Sequence, residues 1–483
     1  MEDRYIATVD LGSAKTAFAV ARINGDAVEV LHYKERPSDG IRNGKVINPA
    51  KASVPVKDAI RDAEEELGIK ISQVVVGLPR YPIVEESATA NLDRTSQDPC
   101  ISREEVDDLK NYALDSYKLD DDKRQEIYGA VVLSYSTDDY IQSSEEDIVG
   151  VASENLKGNF KVLVGERKAS DNIDTMAAKA GTVAARKYFV PDMVARAVLT
   201  RDELDSGVAL IEIGAGVSSV TVYRGGVLQH YRSIPFGGRN ITEDIRNECG
   251  FSEKLAENVK YAFGACMPEK LQSLGEKTIQ IENEDGSCDK LPVRYLSEII
   301  TERAREIIEA LLYDIQKNNC GGMLRSGIVL TGGCANLANL GNLIKDISGL
   351  NVRIGFPRGK EFSTSGCSGI NGTGAVGSLG MILHARTDRY FNCVTASSGQ
   401  EAAQNVQETV VAAKTDRKSG KEEKKVAEEE EKVRKELEGS VFDTRTGINP
   451  EARKSGRKGN NRAISWFKKN VVESVGDLYD QTH

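Results

Sequence analysis

Long apolar runs, paired cysteines and a basic surplus are all missing from this 483-residue chain. No stretch approaches the roughly 18 apolar residues that a membrane-spanning helix needs. The eight cysteines (Cys100, Cys249, Cys266, Cys288, Cys320, Cys334, Cys367 and Cys393) form no CxxC pair. Their wide spacing argues against a zinc site or a disulfide framework and fits reduced cytoplasmic thiols. Histidine is scarce: His32, His230, His384 and His483 are scattered and define neither a metal cluster nor a Cys–His dyad. Surface or packing roles are expected for them. Lys and Arg number 64 against 74 Asp and Glu, a net charge of -10 at pH 7. That balance disfavours bulk binding to nucleic acid. The acidic start Met1-Glu2-Asp3-Arg4 leads straight into a strand-like run, which is not the pattern of a signal peptide.

What is present is α/β alternation. The length predicts two to four domains. Strand-like runs fall at Tyr5–Val9, Ala17–Ala21, Val74–Val76, Ala130–Ser134, Lys161–Val164, Val208–Ile213, Ser219–Tyr223 and Gly327–Leu330. Helix-like stretches lie between them at Val56–Leu67, Glu104–Leu114, Asn172–Ala180, Ser252–Phe263 and Leu296–Gln316. Ser102-Arg103-Glu104-Glu105 is a capping-box pattern that predicts a helix from 103.

One local arrangement occurs twice. Tyr5–Val9 enters Asp10-Leu11-Gly12-Ser13-Ala14-Lys15-Thr16, and Val208–Ile211 enters Glu212-Ile213-Gly214-Ala215-Gly216-Val217. Each is a strand, an acid, a glycine turn and a returning strand, which points to a duplicated domain with a cleft between the copies. Glycine turns let a phosphate chain approach backbone N–H donors. Asp10 and Glu212 stand where an acid could hold Mg²⁺ through water or orient an attacking water. Ser13 and Lys15 add a hydroxyl and a cation. Three further glycine turns follow. Phe236-Gly237-Gly238-Arg239 precedes a helix-like stretch and is a candidate anion site. Leu330-Thr331-Gly332-Gly333-Cys334-Ala335-Asn336 follows a buried strand, where bare backbone leaves room for a flat ring. Gly372-Thr373-Gly374-Ala375-Val376-Gly377 matches G-x-G-x-x-G but lacks the preceding strand that a dinucleotide-binding turn requires. No P-loop is present. Taken singly, each turn is more simply read as an ordinary hairpin or strand–helix corner.

Beyond residue 395 the character changes. Lys414–Glu438 is almost wholly charged and cannot bury enough apolar surface to fold alone. A basic run follows (Arg453, Lys454, Arg457, Lys458, Arg462). Then Ile464, Phe467, Val471, Val475 and Leu478 recur at helical spacing, with Trp466, Lys468 and Lys469 beside them. This amphipathic pattern suits an anionic bilayer surface or a protein groove.

In this order the motifs resemble the actin, sugar-kinase and heat-shock-chaperone ATPase superfamily, and within it the FtsA family of cell division. Val9–Thr16, Leu210–Gly226, Ser233–Ile245, Ala256–Gly264 and Ile328–Leu340 carry the likeness. The resemblance implies an actin-like fold of two duplicated domains around a nucleotide cleft, binding ATP and Mg²⁺. It implies phosphate contacts from Gly12, Ser13, Lys15, Gly214, Gly216, Gly237 and Gly238. Glu257 and Lys260 would face the ribose and adenine, with Gly332, Gly333 and Asn336 on the adenine side. Asp10 would hold Mg²⁺ through water, and Asp10 and Glu212 would be the catalytic acids.

The resemblance also divides the chain. Subdomain 1A takes 1–81, 164–200 and 366–394, an inserted subdomain 1C takes 82–163, subdomain 2A takes 201–235 and 301–365, and subdomain 2B takes 236–300. A charged linker (395–459) and an amphipathic membrane-targeting helix (460–483) complete it. A scaffold with these parts would polymerise and tether FtsZ, a tubulin-like division protein, to the cytoplasmic face of the inner membrane at the septum. FtsZ would be met around 240–300, other division proteins through the inserted subdomain, and the membrane through Ile464, Trp466, Phe467, Lys468, Lys469, Val471 and Val475. An active kinase or chaperone of the same fold, or a pilus-assembly relative, are the alternatives. Two departures lower the expected turnover. The second turn has Glu212 for Asp and Val217 for Thr, and Val190-Pro191 lacks the Glu or Gln that strong ATPases of the superfamily place before the proline.

Overall fold

The computed structural model describes residues 3–394 apart from 95–97, 120–123, 139, 143–144, 283–287 and 365. The charged linker and the amphipathic tail helix expected from the sequence lie outside the described residues.

The first half is built on strands β1 (Arg4–Leu11), β2 (Lys15–Asn24) and β3 (Ala27–Pro37), an antiparallel meander. β1 and β2 are buried on both faces, which is why they read as near-continuous apolar runs. Helix α1 (Pro49–Leu67) covers one face. Asn48 caps it by accepting from Lys51 N–H, Pro49 opens it, and Gly68 closes it at φ 65°. Its Ala52, Val56, Ala59, Ile60 and Ala63 share one buried stripe. Strand β4 (Gln73–Leu78) then runs parallel to β1.

A separate small sheet follows, from β5 (Val84–Asp93), helix α2 (Arg103–Ser116), β6 (Gln125–Ser136) and β7 (Asn155–Glu166). β7 lies between β5 and β6, antiparallel to both. The capping box forms as expected, with Ser102 and Glu105 bonding each other's backbone. Leu109, Tyr135, Leu156 and Phe160 make a core of their own, and the rings of Tyr135 and Phe160 meet edge-on at 6.4 Å.

Helix α3 (Arg167–Ala180), strand β8 (Val183–Phe189) and helix α4 (Val190–Val198) complete the first sheet, in the order β8-β4-β1-β2-β3 with Ser363–Thr364 at the far edge. The second half repeats this plan. Strands β9 (Val208–Ile213), β10 (Ser218–Arg224) and β11 (Val227–Ile234) form the meander. Helices α5 (Gly238–Cys249), α6 (Glu253–Phe263) and α7 (Val293–Lys317) pack on it. Strand β12 (Ile328–Thr331), helix α8 (Leu340–Ser348) and strand β13 (Val352–Ile354) follow. The order β11-β10-β9-β12-β13 matches the first sheet strand for strand, with two parallel strands added beside each meander. Helix α9 (Val376–Ala385) returns the chain to the first half and packs on α4 and β1. Their approach is close enough that a Cβ at Gly380 would lie 1.9 Å from Met193 O.

Candidate functional site

The two meanders place their turns by register. Pairing runs unbroken from Arg4↔Ile23 to Leu11↔Thr16 and from Val208↔Tyr223 to Ile213↔Ser218. Asp10 and Glu212 therefore occupy matching places, each just before its turn. Gly12 is required where it stands, because a Cβ there would lie 2.5 Å from Lys15 O, which accepts the Gly12 N–H at 3.0 Å. The two turns meet: a Cβ at Gly216 would be 2.7 Å from Ser13 Oγ. Ser13 Oγ accepts from Gly44 N–H at 2.9 Å, and Ser13 O accepts from Arg239 of α5 at 3.2 Å. Among the described residues no hydrogen bond engages the N–H of Ser13, Ala14, Ala215 or Gly216. These four donors are suited to an anion such as a phosphate.

Asp10 and Glu212 are 9% and 8% exposed, and both face Arg80, just after β4. Arg80 Nη1 and Nη2 donate to the two Asp10 oxygens at 3.3 and 3.4 Å, and Nη2 pairs with Glu212 Oε1 at 3.0 Å. Burial works against the Arg80 charge, but the two carboxylates outweigh it and hold the guanidinium protonated well beyond its ordinary range. The first turn of α9 packs on the same group, where a Cβ at Gly377 would lie 2.1 Å from Asp10 Oδ2. The G-x-G-x-x-G segment thus packs on the Asp10–Arg80 pair. Nothing in the local sequence singles out Arg80. Its partners are 70 and 132 positions away, one on β1 beside β4 and the other on β9 of the second sheet, and only the fold brings them to it.

Mg²⁺ requires a near-octahedral shell of oxygens. Three of the four carboxylate oxygens of Asp10 and Glu212 already serve Arg80, and only Glu212 Oε2 is without a hydrogen-bond partner. No cluster of three or more His, Cys, Asp or Glu suited to a metal occurs among the described residues. The arrangement does not fit the Mg²⁺ role expected of Asp10.

Other expected phosphate ligands are engaged within the protein. Lys15 Nζ pairs with Glu35 at 2.6 Å and sits against Gly374. The start of α5 does not offer the free donors that its glycine pair leads one to expect. Instead Gly237 N–H donates to Asn240 Oδ1, Gly238 N–H to Gly214 O and Arg239 N–H to Ala215 O. Gly238 and Arg239 thus fix the second turn from behind, and Gly237 packs against it, where a Cβ would lie 2.4 Å from Gly214 O. Lys260 donates to Gly238 O at 2.9 Å and to Thr242 Oγ1 at 2.7 Å, and pairs with Glu257 at 2.7 Å. Together Glu257 and Lys260 bind α6 to the start of α5. At the remaining corner Gly332 has φ 90° and lies against β9. Its carbonyl accepts from Thr373 Oγ1 at 2.9 Å, and Asn336 donates to the same hydroxyl at 3.2 Å. A Cβ at Gly333 would meet nothing within 4 Å, so the backbone is unobstructed at that residue.

The position before Pro191 holds Val190, fully buried and packed against Gly77. It offers no group that could orient a water. A second polar cluster, unread in the sequence, joins the small sheet to the second half. His230 Nδ1 lies 2.9 Å from Glu85 of β5, and His230 Nε2 bonds Asp314 of α7. Glu85 also accepts from Lys161 at 3.2 Å and from Tyr231 N–H at 2.7 Å. Burial alone would lower the His230 pKa, but hydrogen bonds to Asp314 and Glu85 raise it to about 9. Tyr231 in turn packs edge-on against Phe189 at 4.9 Å and donates its hydroxyl to Arg80 O.

Duplicated sheets that share one strand order, with glycine turns that meet face to face, define an actin-like protein. The same fold is seen in a solved PilM-PilN type IV pilus biogenesis complex, matched at a TM-score of 0.56 and 15% identity over 79% of this chain and 98% of that one. Within that class the chain is similar to the cell-division protein FtsA. The family model for Cell division protein FtsA matches residues 209–368. FtsA of Neisseria meningitidis is 27% identical over 74% of this chain and 85% of its own length. FtsA of Borreliella burgdorferi is 25% identical over 84% of this chain and 96% of its own.

Proposed function

We propose that this protein is an actin-like, ATP-binding scaffold of cell division that self-associates and links an FtsZ polymer to the inner membrane. The observation that supports it most directly is the meeting of the two turns, Ser13 against Gly216, with four unengaged N–H donors around the contact. ATP would place its phosphates on those donors and its base beside Gly332, Gly333 and Asn336. The buried Val190 favours nucleotide as a conformational ligand rather than a substrate turned over rapidly. Bound ATP would then shift the balance between monomer and filament by its differential affinity for the two.

Residues 82–163 would be the inserted subdomain that meets other division proteins, and the stretch around 240–300 the part that meets FtsZ. The tail would bind the cytoplasmic leaflet through Trp466, Phe467 and Val471, with Lys468 and Lys469 at the headgroups. Trp466 is the only tryptophan in the chain, so its emission reports on the tail alone. Anionic vesicles should shift that emission to the blue and carry the protein into the pellet, and deleting 460–483 should abolish pelleting. Retention of the truncated protein on the vesicles would refute the tail as anchor. Phosphate release on the order of 1 per second or faster, as in ordinary kinases, would instead favour an active enzyme of the same fold.

A further inference from the structure

We propose that the guanidinium of Arg80 stands in for the divalent cation, so that the cleft takes a nucleoside triphosphate without Mg²⁺. This rests on the nucleotide-binding function proposed above. Two bare carboxylates beside a polyphosphate would repel it, and a bound metal is one remedy. Here the remedy is part of the chain: Arg80 lies between Asp10 and Glu212 and turns a local charge of two negatives into one. The side chain is 13% exposed and is hemmed in by the first turn of α9, where a Cβ at Gly377 would lie 3.4 Å from Nη2. Its carbonyl is held by Tyr231 from the second half.

Expelling it would strip three carboxylate oxygens of their partner and strand a buried cation, a costly exchange for one metal ion. Arg80 also keeps capacity for a ligand, since its buried Nε–H has no partner within the protein. Guanidinium suits this place better than ammonium because its planar fork serves two carboxylates at once.

The test is a titration of the full chain with a fluorescent ATP analogue, in excess Mg²⁺ and in excess EDTA. The affinities of the unaltered protein should agree within about threefold. Arg80→Ala should lose about 10- to 100-fold in EDTA, the worth of a charge-assisted hydrogen bond, and Mg²⁺ should restore most of it. Arg80→Lys should fall between. A second measurement needs no nucleotide: Arg80→Ala should bind Mn²⁺, seen as loss of the free-ion EPR signal, and the unaltered protein should not. Tight binding by the unaltered protein only with Mg²⁺ would overturn the proposal while leaving the nucleotide site standing. Equal metal-independence of Arg80→Ala would also overturn it. Failure to bind nucleotide in either buffer would sink the nucleotide site and the proposal together. Should Arg80→Ala not fold, the comparison of buffers on the unaltered protein still decides.

Discussion

The cluster of Glu85, His230 and Asp314 predicts a specific dependence of stability on pH. His230 is 10% exposed and sits between two carboxylates, one from the small sheet and one from α7. Its pKa is raised to about 9 in the fold, against about 6.5 in an unfolded chain. The imidazolium is therefore favoured by folding. Its contribution is complete below about pH 6.5, declines above it and is gone once pH passes about 9. A tenfold difference in proton affinity is worth about 1.4 kcal/mol, so the whole interval corresponds to roughly 3 kcal/mol. His230→Gln should lower the unfolding free energy measured in urea at about pH 6 by that amount, and the deficit should shrink steadily as the pH is raised from about 6.5 and be gone beyond about 9. Histidine-labelled NMR gives an independent check, since the chain has only four histidines and one should titrate near 9. Parallel pH profiles for the two proteins, or a His230 resonance with the ordinary imidazole pKa, would refute the account.

His384 should act in the opposite direction. Burial pushes its pKa down to about 4, so its contribution is present above about pH 6.5 and is lost as pH falls toward 4. His384→Gln should flatten the acid limb of the urea profile and leave the alkaline limb unchanged. Leu109→Ala should open a cavity in the small sheet's own core at a cost of about 3 kcal/mol. Hydrogen exchange should rise in β5–β7 and much less in β9–β12. Gly332→Ala should cost about 1–3 kcal/mol, because φ 90° disfavours a side chain and its Cβ would lie 2.6 Å from Ile213 O. Calorimetric titration should show weakened nucleotide binding in that variant, and unchanged affinity would remove this corner from the site.

The duplication, the paired turns and the acids before them are legible in the sequence because each depends on neighbours within one hairpin. Gly12 and Gly332 are needed for local backbone reasons, and a short motif carries that information. Strands β5, β8 and β11 are not legible. β5 is Val-Glu-Glu-Ser-Ala-Thr-Ala-Asn-Leu-Asp and largely exposed, so no apolar alternation marks it. β11 has His230 and Arg232 where alternation would be read, and its histidine is buried only because Asp314 and Glu85 come to meet it.

The charges divide in the same way. Lys15 and the Gly237-Gly238 pair have the residue types expected of phosphate ligands, but their orientation is decided by Glu35, by Asn240 and by the Gly214 carbonyl of the second turn. By itself the sequence determined the architecture, the places of the two turns and the loss of a water-orienting side chain before Pro191. Only the tertiary structure decided what stands between the two acids. Asp10, Arg80 and Glu212 lie on three separate strand ends, and their electrostatics arise from burial and proximity that no segment of sequence contains.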